Sequence, residues 1–247
     1  MLILALLAVV VTGAPTTVNA APAIVQKGSA PSAADPFYFH AADLGILQAK
    51  AVQKEIGITE AQRAKLNTFA ARHTDHLKAL AAEYKAAGKK EQDATKDPRL
   101  IGYFLELKKN VMAQLSAAQL KRLGELSLQH LGLASLTDDQ VGARVGLSAK
   151  QIESLRNYFE AGSKAYGEAE KAAASPVIAK YKDKHVNDQK AAEALQKQFD
   201  AEMGAAMRAA APKLIALKSD TEKKMRAVMT AKQQADYKAL LGKPFTP

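Results

Sequence analysis

The chain has 247 residues, no cysteine, no tryptophan and a formal charge of +10. Without cysteine, disulfide scaffolds, thiolate metal sites and cysteine nucleophiles are excluded. Strong helix formers (Ala, Leu, Lys, Gln, Glu) fill the central stretches and β-branched runs are nearly absent after residue 26, so the composition predicts an all-α protein of packed helices.

Leu2 to Val11 is an unbroken apolar run, followed by small and polar residues that end in Val18-Asn19-Ala20. This pattern reads as a secretory signal peptide over 1–20, cleaved near Ala20, and places the mature protein in a periplasmic or extracellular space. The run is too short to anchor in a bilayer. No Lys or Arg precedes it, so either the start lies upstream or the signal is atypical. Residues 21–135 hold 16 Lys/Arg and 11 Asp/Glu, and residues 136–247 hold 19 and 14. The excess is therefore spread evenly. It describes a mildly basic surface with a weak attraction to anionic partners, and no nucleic-acid platform of clustered Arg and aromatic residues is visible.

Residues 21–42, rich in Ala, Pro and Ser, read as a flexible leader in which Phe37, Tyr38 and Phe39 offer a docking point. A first helix is predicted from Asp43 to Ile56 and is stopped by Gly57. Thr59, with Gln62 three residues later, opens a long helix whose apolar stripe is Leu66, Phe69, His73, Leu77, Leu80 and Tyr84. Asp97-Pro98 starts the next helix, with Ile101, Phe104, Val111 and Leu115 as its stripe. Ser116 and Gln119 open another, carrying Leu120, Leu123 and Leu126. Thr137 with Gln140 opens a short helix closed by Gly146, and Ser148 with Gln151 a longer one. Ser175-Pro176 is read as an N-cap and start for a stretch that continues towards Val228, with Pro212 as a kink or break. Thr230 and Gln233 begin the last helix, which Gly242 and Pro244 end.

A recurrent device organises these elements. Glu55-Ile56-Gly57-Ile58-Thr59-Glu60-Ala61-Gln62 aligns with Arg144-Val145-Gly146-Leu147-Ser148-Ala149-Lys150-Gln151. The pattern of an apolar residue, a hydroxyl, two free positions and Gln occurs at Ile58/Thr59/Gln62, Leu115/Ser116/Gln119, Leu136/Thr137/Gln140, Leu147/Ser148/Gln151 and Met229/Thr230/Gln233. Composition alone gives roughly 0.2 occurrences in a chain of this length, so the recurrence is not accidental. It predicts seven to nine helices in two related tandem units, 43–135 and 136–247. Physically each copy is a helix start. The hydroxyl accepts from first-turn N–H groups and the Gln reaches back to the cap N–H, an arrangement that stabilises by about 1 kcal/mol.

Repeated Leu-Thr-x-x-Gln motifs behind a signal peptide, on a basic cysteine-free helical body, resemble the Spy/CpxP-like LTxxQ family. Val52-Gln53-Lys54-Glu55, Leu120-Lys121-Arg122-Leu123 and the ending Leu241-Gly242-Lys243-Pro244-Phe245 look closer still to a group of two-unit exported bacterial proteins. The resemblance implies a periplasmic all-α protein linked to envelope stress, with chaperones and partners of sensor proteins among its members, zinc binders among its relatives, and homodimers common. Here the two units leave either a monomer or a homodimer open.

His73 and His76 are the one histidine pair at metal-ligand spacing. Two imidazoles do not make a site, and His73 falls on the apolar stripe. Both read as core or boundary residues, and no metal or cofactor is expected. No nucleophile elbow, phosphate loop, HExxH or paired carboxylate occurs, so no enzyme is expected. Met203 and Met207 lie one turn apart in an Ala-rich helix, as packing filler or an adaptable apolar surface. The function expected is binding of protein clients in a chaperone-like or stress-related role. A metal- or stress-sensing accessory acting through an envelope partner protein is the first alternative, and a structural envelope component on anionic polymer the second.

Overall fold

The computed structural model describes residues 35–88, 97–184 and 188–246, and among these it holds nine α-helices and no strand. The fold is all-α, as composition predicts. The expected signal peptide, the leader up to residue 34 and the loop 89–96 lie outside the described residues. None of the described helices is long and apolar enough to cross a membrane. Backbone contacts divide the chain into two compact units. One takes the residues up to His130 together with those from Leu241 onward, and the other takes Leu131–Leu240.

In the first unit, helix α1 (Pro36–Ala41) is capped by the Asp35 carboxylate, which accepts from the Phe37 N–H at 3.0 Å. Phe37 and Ala42 are buried, so the last residues of the expected flexible leader are docked helix. The single helix expected from Asp43 is broken in two. Asp43 Oδ1 accepts from the Gly45 N–H at 2.7 Å and holds a turn, a short 3-10 segment covers Ile46–Gln48, and only Lys50–Glu55 is α-helix, α2. Helix α3 (Glu60–Ala86) and α4 (Pro98–Met112) form an antiparallel hairpin, and α5 (Ala117–Leu131) follows. The six predicted stripe residues of α3 are all buried or half-buried. On α4 the stripe lies one residue away from the prediction at its start: Leu100 is 3% exposed and Ile101 48%. Helix α5 buries the widest face, with Leu120, Leu123, Leu126, Ser127 and Leu128 inside. Its side chains meet Leu47, Val52, Ile56, Ile58, Val111 and Met112 in one core.

The C-terminal tail belongs to this unit. Gln129 Nε2 donates to the carbonyls of Leu241 (2.6 Å) and Lys243 (2.7 Å), and its Oε1 accepts from the Phe245 N–H at 3.1 Å. Arg122, on the same helix, joins the Glu55 and Glu125 carboxylates and the Lys243 carbonyl. Phe245 packs against the core.

The second unit contains a 3-10 segment (Gly132–Thr137), then α6 (Asp139–Arg144), α7 (Ala149–Tyr181), α8 (Gln189–Ala227) and α9 (Ala231–Leu240). Two sequence expectations fail here. Ser175-Pro176 is not a helix start: α7 runs through it, and Ser175 Oγ donates to the Lys171 carbonyl at 2.6 Å. Pro212 does not end α8. Both prolines, and the residues four before them whose carbonyls lose a donor, are exposed, so water replaces the missing N–H. The break falls instead between Tyr181 and Gln189, where Asp188 caps α8 by accepting from the Ala191 N–H at 2.8 Å. Pro212 precedes Gln233 by 21 residues, as Pro98 precedes Gln119, but Pro98 starts α4 whereas α8 runs through Pro212. At the centre of this unit Tyr237 is buried, its hydroxyl donating to the Gly132 carbonyl at 2.6 Å beside Ser135.

Candidate functional site

Four of the five motif copies form capping boxes. Thr59 Oγ1 accepts from the Gln62 N–H (3.2 Å) while Gln62 Oε1 accepts from the Thr59 N–H (3.0 Å). The same reciprocal bonds join Ser116 with Gln119, Ser148 with Gln151 and Thr230 with Gln233. Ile58, Leu147 and Met229 before the caps are buried, and Leu115 is half-buried against the core. The fifth copy does not form a capping box. Thr137 ends the 3-10 segment and turns back, donating to the Ala134 carbonyl at 2.8 Å. The cap of α6 is Asp138, whose carboxylate accepts from the N–H groups of Gln140 (2.9 Å) and Val141 (3.0 Å). A charged acceptor one residue on outcompetes the hydroxyl, so Gln140 has no cap to reciprocate and is exposed, while Leu136 is buried.

The four boxes are joined in pairs. Gln62 Nε2 donates to Gln119 Oε1 at 2.8 Å, and Gln119 Nε2 donates back to Gln62 Oε1 at 3.0 Å. The second N–H of each amide reaches a backbone carbonyl across the pair: Gln62 to Gln114 (2.7 Å), Gln119 to Gly57 (2.9 Å). In the second unit Gln151 and Gln233 exchange bonds of 2.9 and 3.1 Å, and reach Val228 (2.9 Å) and Gly146 (2.7 Å). Each amide therefore uses both donors, and each oxygen accepts from the cap N–H and from the partner amide. Gly57 and Gly146 have φ of 69° and 73°, which aims their carbonyls at the clasp. The capping residues of these clasps are legible in the sequence, but their pairing is not. The available signal was that all the boxes carry Gln, although Glu caps equally well.

Each clasp locks the base of a helical hairpin. In the first unit α3 and α4 extend from it, meeting through His73, Tyr103 and Phe104. Their far end is tied by Tyr84, Asp97, Arg99 and Glu83. Arg99 beside Asp97 holds that carboxyl well below the usual carboxylate range, so it stays charged at the start of α4. In the second unit α7 alone, with 33 residues, is about 50 Å long. The far end of the α7–α8 hairpin is joined by Lys180 to Glu202 (2.6 Å), Tyr181 to Glu202 (2.9 Å) and Tyr181 edge-on to Phe199. The Lys180 ammonium holds the Glu202 carboxyl below its ordinary value.

Between these ends the α7–α8 hairpin carries an open groove of about 410 Å³ lined by Gly167, Glu170, Lys171, Ala174, Met203 and Met207. Large apolar side chains stand exposed on the hairpins: Ile101 (48%) and Leu105 (65%) on α4, Ile178 (51%) on α7, and Ile215 (68%) on α8. Both ring nitrogens of His73 and Nε2 of His76 are buried without a hydrogen-bonding partner. His73 is 7% exposed, lies parallel to Tyr103 at 5.6 Å and tilted to Phe104 at 5.1 Å, while His76 stacks on Tyr103 at 3.8 Å. Burial pushes the His73 imidazole below its ordinary value, and His76 adds to the effect. Among the described residues no group of three or more His, Asp or Glu is placed to ligate a metal.

No protein-family model, curated protein or solved structure matches the chain.

Proposed function

We propose that the chain is an exported, non-enzymatic helical binding protein of two related units that holds apolar segments of partly unfolded proteins, a chaperone-like activity without ATP. One observation carries the reading. Bulky aliphatic side chains, Leu105 and Ile215 foremost, are left in water on two-helix hairpins whose bases are rigidly clasped. Ile101 and Leu105 lie one turn apart on α4 and form a continuous exposed apolar strip of the kind a partner covers. The methionine-lined groove adds a soft surface that adapts to varied side chains. The positive excess of the second unit suits acidic clients: Lys213, Lys218, Lys223, Lys224 and Arg226 stand exposed on the last part of α8 against only Asp220 and Glu222. The LTxxQ resemblance supports the same reading, since the motif copies are the clasps that present the hairpins.

The test is light scattering of an aggregating client with and without the purified chain, at low and moderate salt. Suppression near equimolar ratio that persists in salt supports client holding through apolar surface. Suppression that vanishes in salt reduces the activity to charge attraction, and none at several-fold excess overturns the proposal. In the wild type's favour, Leu105→Ser with Ile215→Ser is expected to weaken suppression several-fold without loss of helicity by circular dichroism.

A further inference from the structure

We infer that the His73–His76–Tyr103 stack is an acid-sensitive latch that holds α3 against α4 and releases the apolar side of α4 when protonated. The inference begins with an unusual absence. Both ring nitrogens of His73 and Nε2 of His76 are buried and have no hydrogen-bonding partner. A neutral imidazole bears this cost because its faces are packed on aromatic rings: Tyr103 is parallel to both, within 11° and 13°, and Phe104 closes the side of His73. An imidazolium in the same place has two N–H donors and a net charge with no acceptor to receive them.

The charged surroundings give no relief. From α4 come the Tyr103 phenol and Glu106, and from α3 come Arg72 and His76. Glu106 interacts electrostatically with Tyr103 but makes no hydrogen bond to either imidazole. Positive charge on His76 opposes a proton on His73. The closed latch is therefore the neutral one.

The direction with pH follows by linkage. His73 in the closed hairpin takes up a proton less readily than in an open one, where it titrates near the ordinary 6.5. Closure is fully favoured above that value. Below it the open form gains protons first, and the open-to-closed ratio rises by up to tenfold per pH unit until the closed form also protonates. The hairpin is also held by its apolar stripe, with Leu80 of α3 and Leu100 of α4 buried, and at its ends by the Gln62–Gln119 clasp and the Tyr84–Asp97–Arg99 cluster. Opening exposes Tyr103 and Phe104 beside Ile101 and Leu105, which are already in water. The latch itself stands apart from the client-holding reading. Only its use as a trigger rests on that reading.

The experiment uses the whole chain. Histidine Cε1–H resonances are followed by NMR from pH 8 to pH 4.5, together with hydrogen exchange of the α3 and α4 amides. The expected result is a His73 midpoint below the ordinary 6.5, and α3–α4 exchange that quickens between pH 7 and pH 5 beyond the intrinsic change. In His73→Phe, which keeps an aromatic ring without a titrating group, the acceleration is expected to fall to less than half. A His73 midpoint at or above the ordinary 6.5 overturns the latch, as does unchanged protection at pH 5. Acceleration equal to wild type in His73→Phe overturns it too. Should that variant not fold, the wild-type midpoint and exchange decide alone. Client suppression measured at pH 7 and pH 5 separates the two ideas: exchange that changes without a gain in suppression keeps the latch and removes its role as a trigger.

Discussion

A capping box requires only an acceptor at its third helical position, and glutamate serves as well as glutamine. The clasps require more, because Gln62 and Gln119 each give two N–H groups to the other side of the pair. This predicts a separation of local from tertiary effects. Gln62→Glu keeps an acceptor for the Thr59 N–H and removes both donors, so the cap persists while the clasp is lost. Urea denaturation is expected to show a loss of about 1–3 kcal/mol. Gln62→Ala and Gln119→Ala are expected to couple, the double variant losing less than the sum of the singles. A Glu substitution that costs only a few tenths would show that the pairing adds nothing to the caps.

At the scale of the helix, three glycines inside helices divide by what a methyl group would meet. Around Gly102 of α4 and Gly167 of α7 an added Cβ finds nothing within 4 Å. Gly162 of α7 faces Thr221 of α8, whose Oγ1 would stand 2.2 Å away. The Thr221 hydroxyl is committed to the Leu217 carbonyl at 2.8 Å and does not turn aside freely. Gly102→Ala and Gly167→Ala are therefore expected to raise stability by up to about 1 kcal/mol through helix propensity. Gly162→Ala is expected to lower it by about 1–3 kcal/mol by forcing α7 from α8. Thermal melts followed at 222 nm measure both. Equal behaviour of the three would mean that α7 and α8 do not approach at Gly162 as described.

Over the whole molecule, the legible parts of the sequence are those governed by neighbours along the chain. The stripe from Leu66 to Tyr84 and the caps at Thr59, Ser116, Ser148 and Thr230 rest on spacings of three or four residues, and the Asp97-Pro98 start on adjacent ones. Misreadings arise where two local signals compete. Thr137 loses to the adjacent Asp138, and Ser175-Pro176 imitates a start inside a helix exposed enough to tolerate proline. What stayed hidden depends on partners distant in sequence. The pairing of Gln151 with Gln233, the stacking of His73 on Tyr103, and the grip of Gln129 on the tail leave no periodic trace. Removal of residues 241–247 tests the last of these. It deletes the bonds to Gln129 and Arg122 and uncovers the surface under Phe245. The first unit is expected to lose about 2 kcal/mol or more in denaturation.

That tail also decides what kind of polymer the protein is. Because Gln129 holds Leu241, the stretch Leu131–Leu240 leaves and re-enters the first unit at neighbouring points, as a closed loop rather than a trailing domain. The entropic cost of such a closure grows only logarithmically, by about 0.6 kcal/mol for each doubling of loop length. For the unfolded chain, closure therefore sets little limit on the length of this stretch. Helical turns added to or removed from the far ends of α7 and α8 change the reach of the long hairpin while the anchorage stays the same.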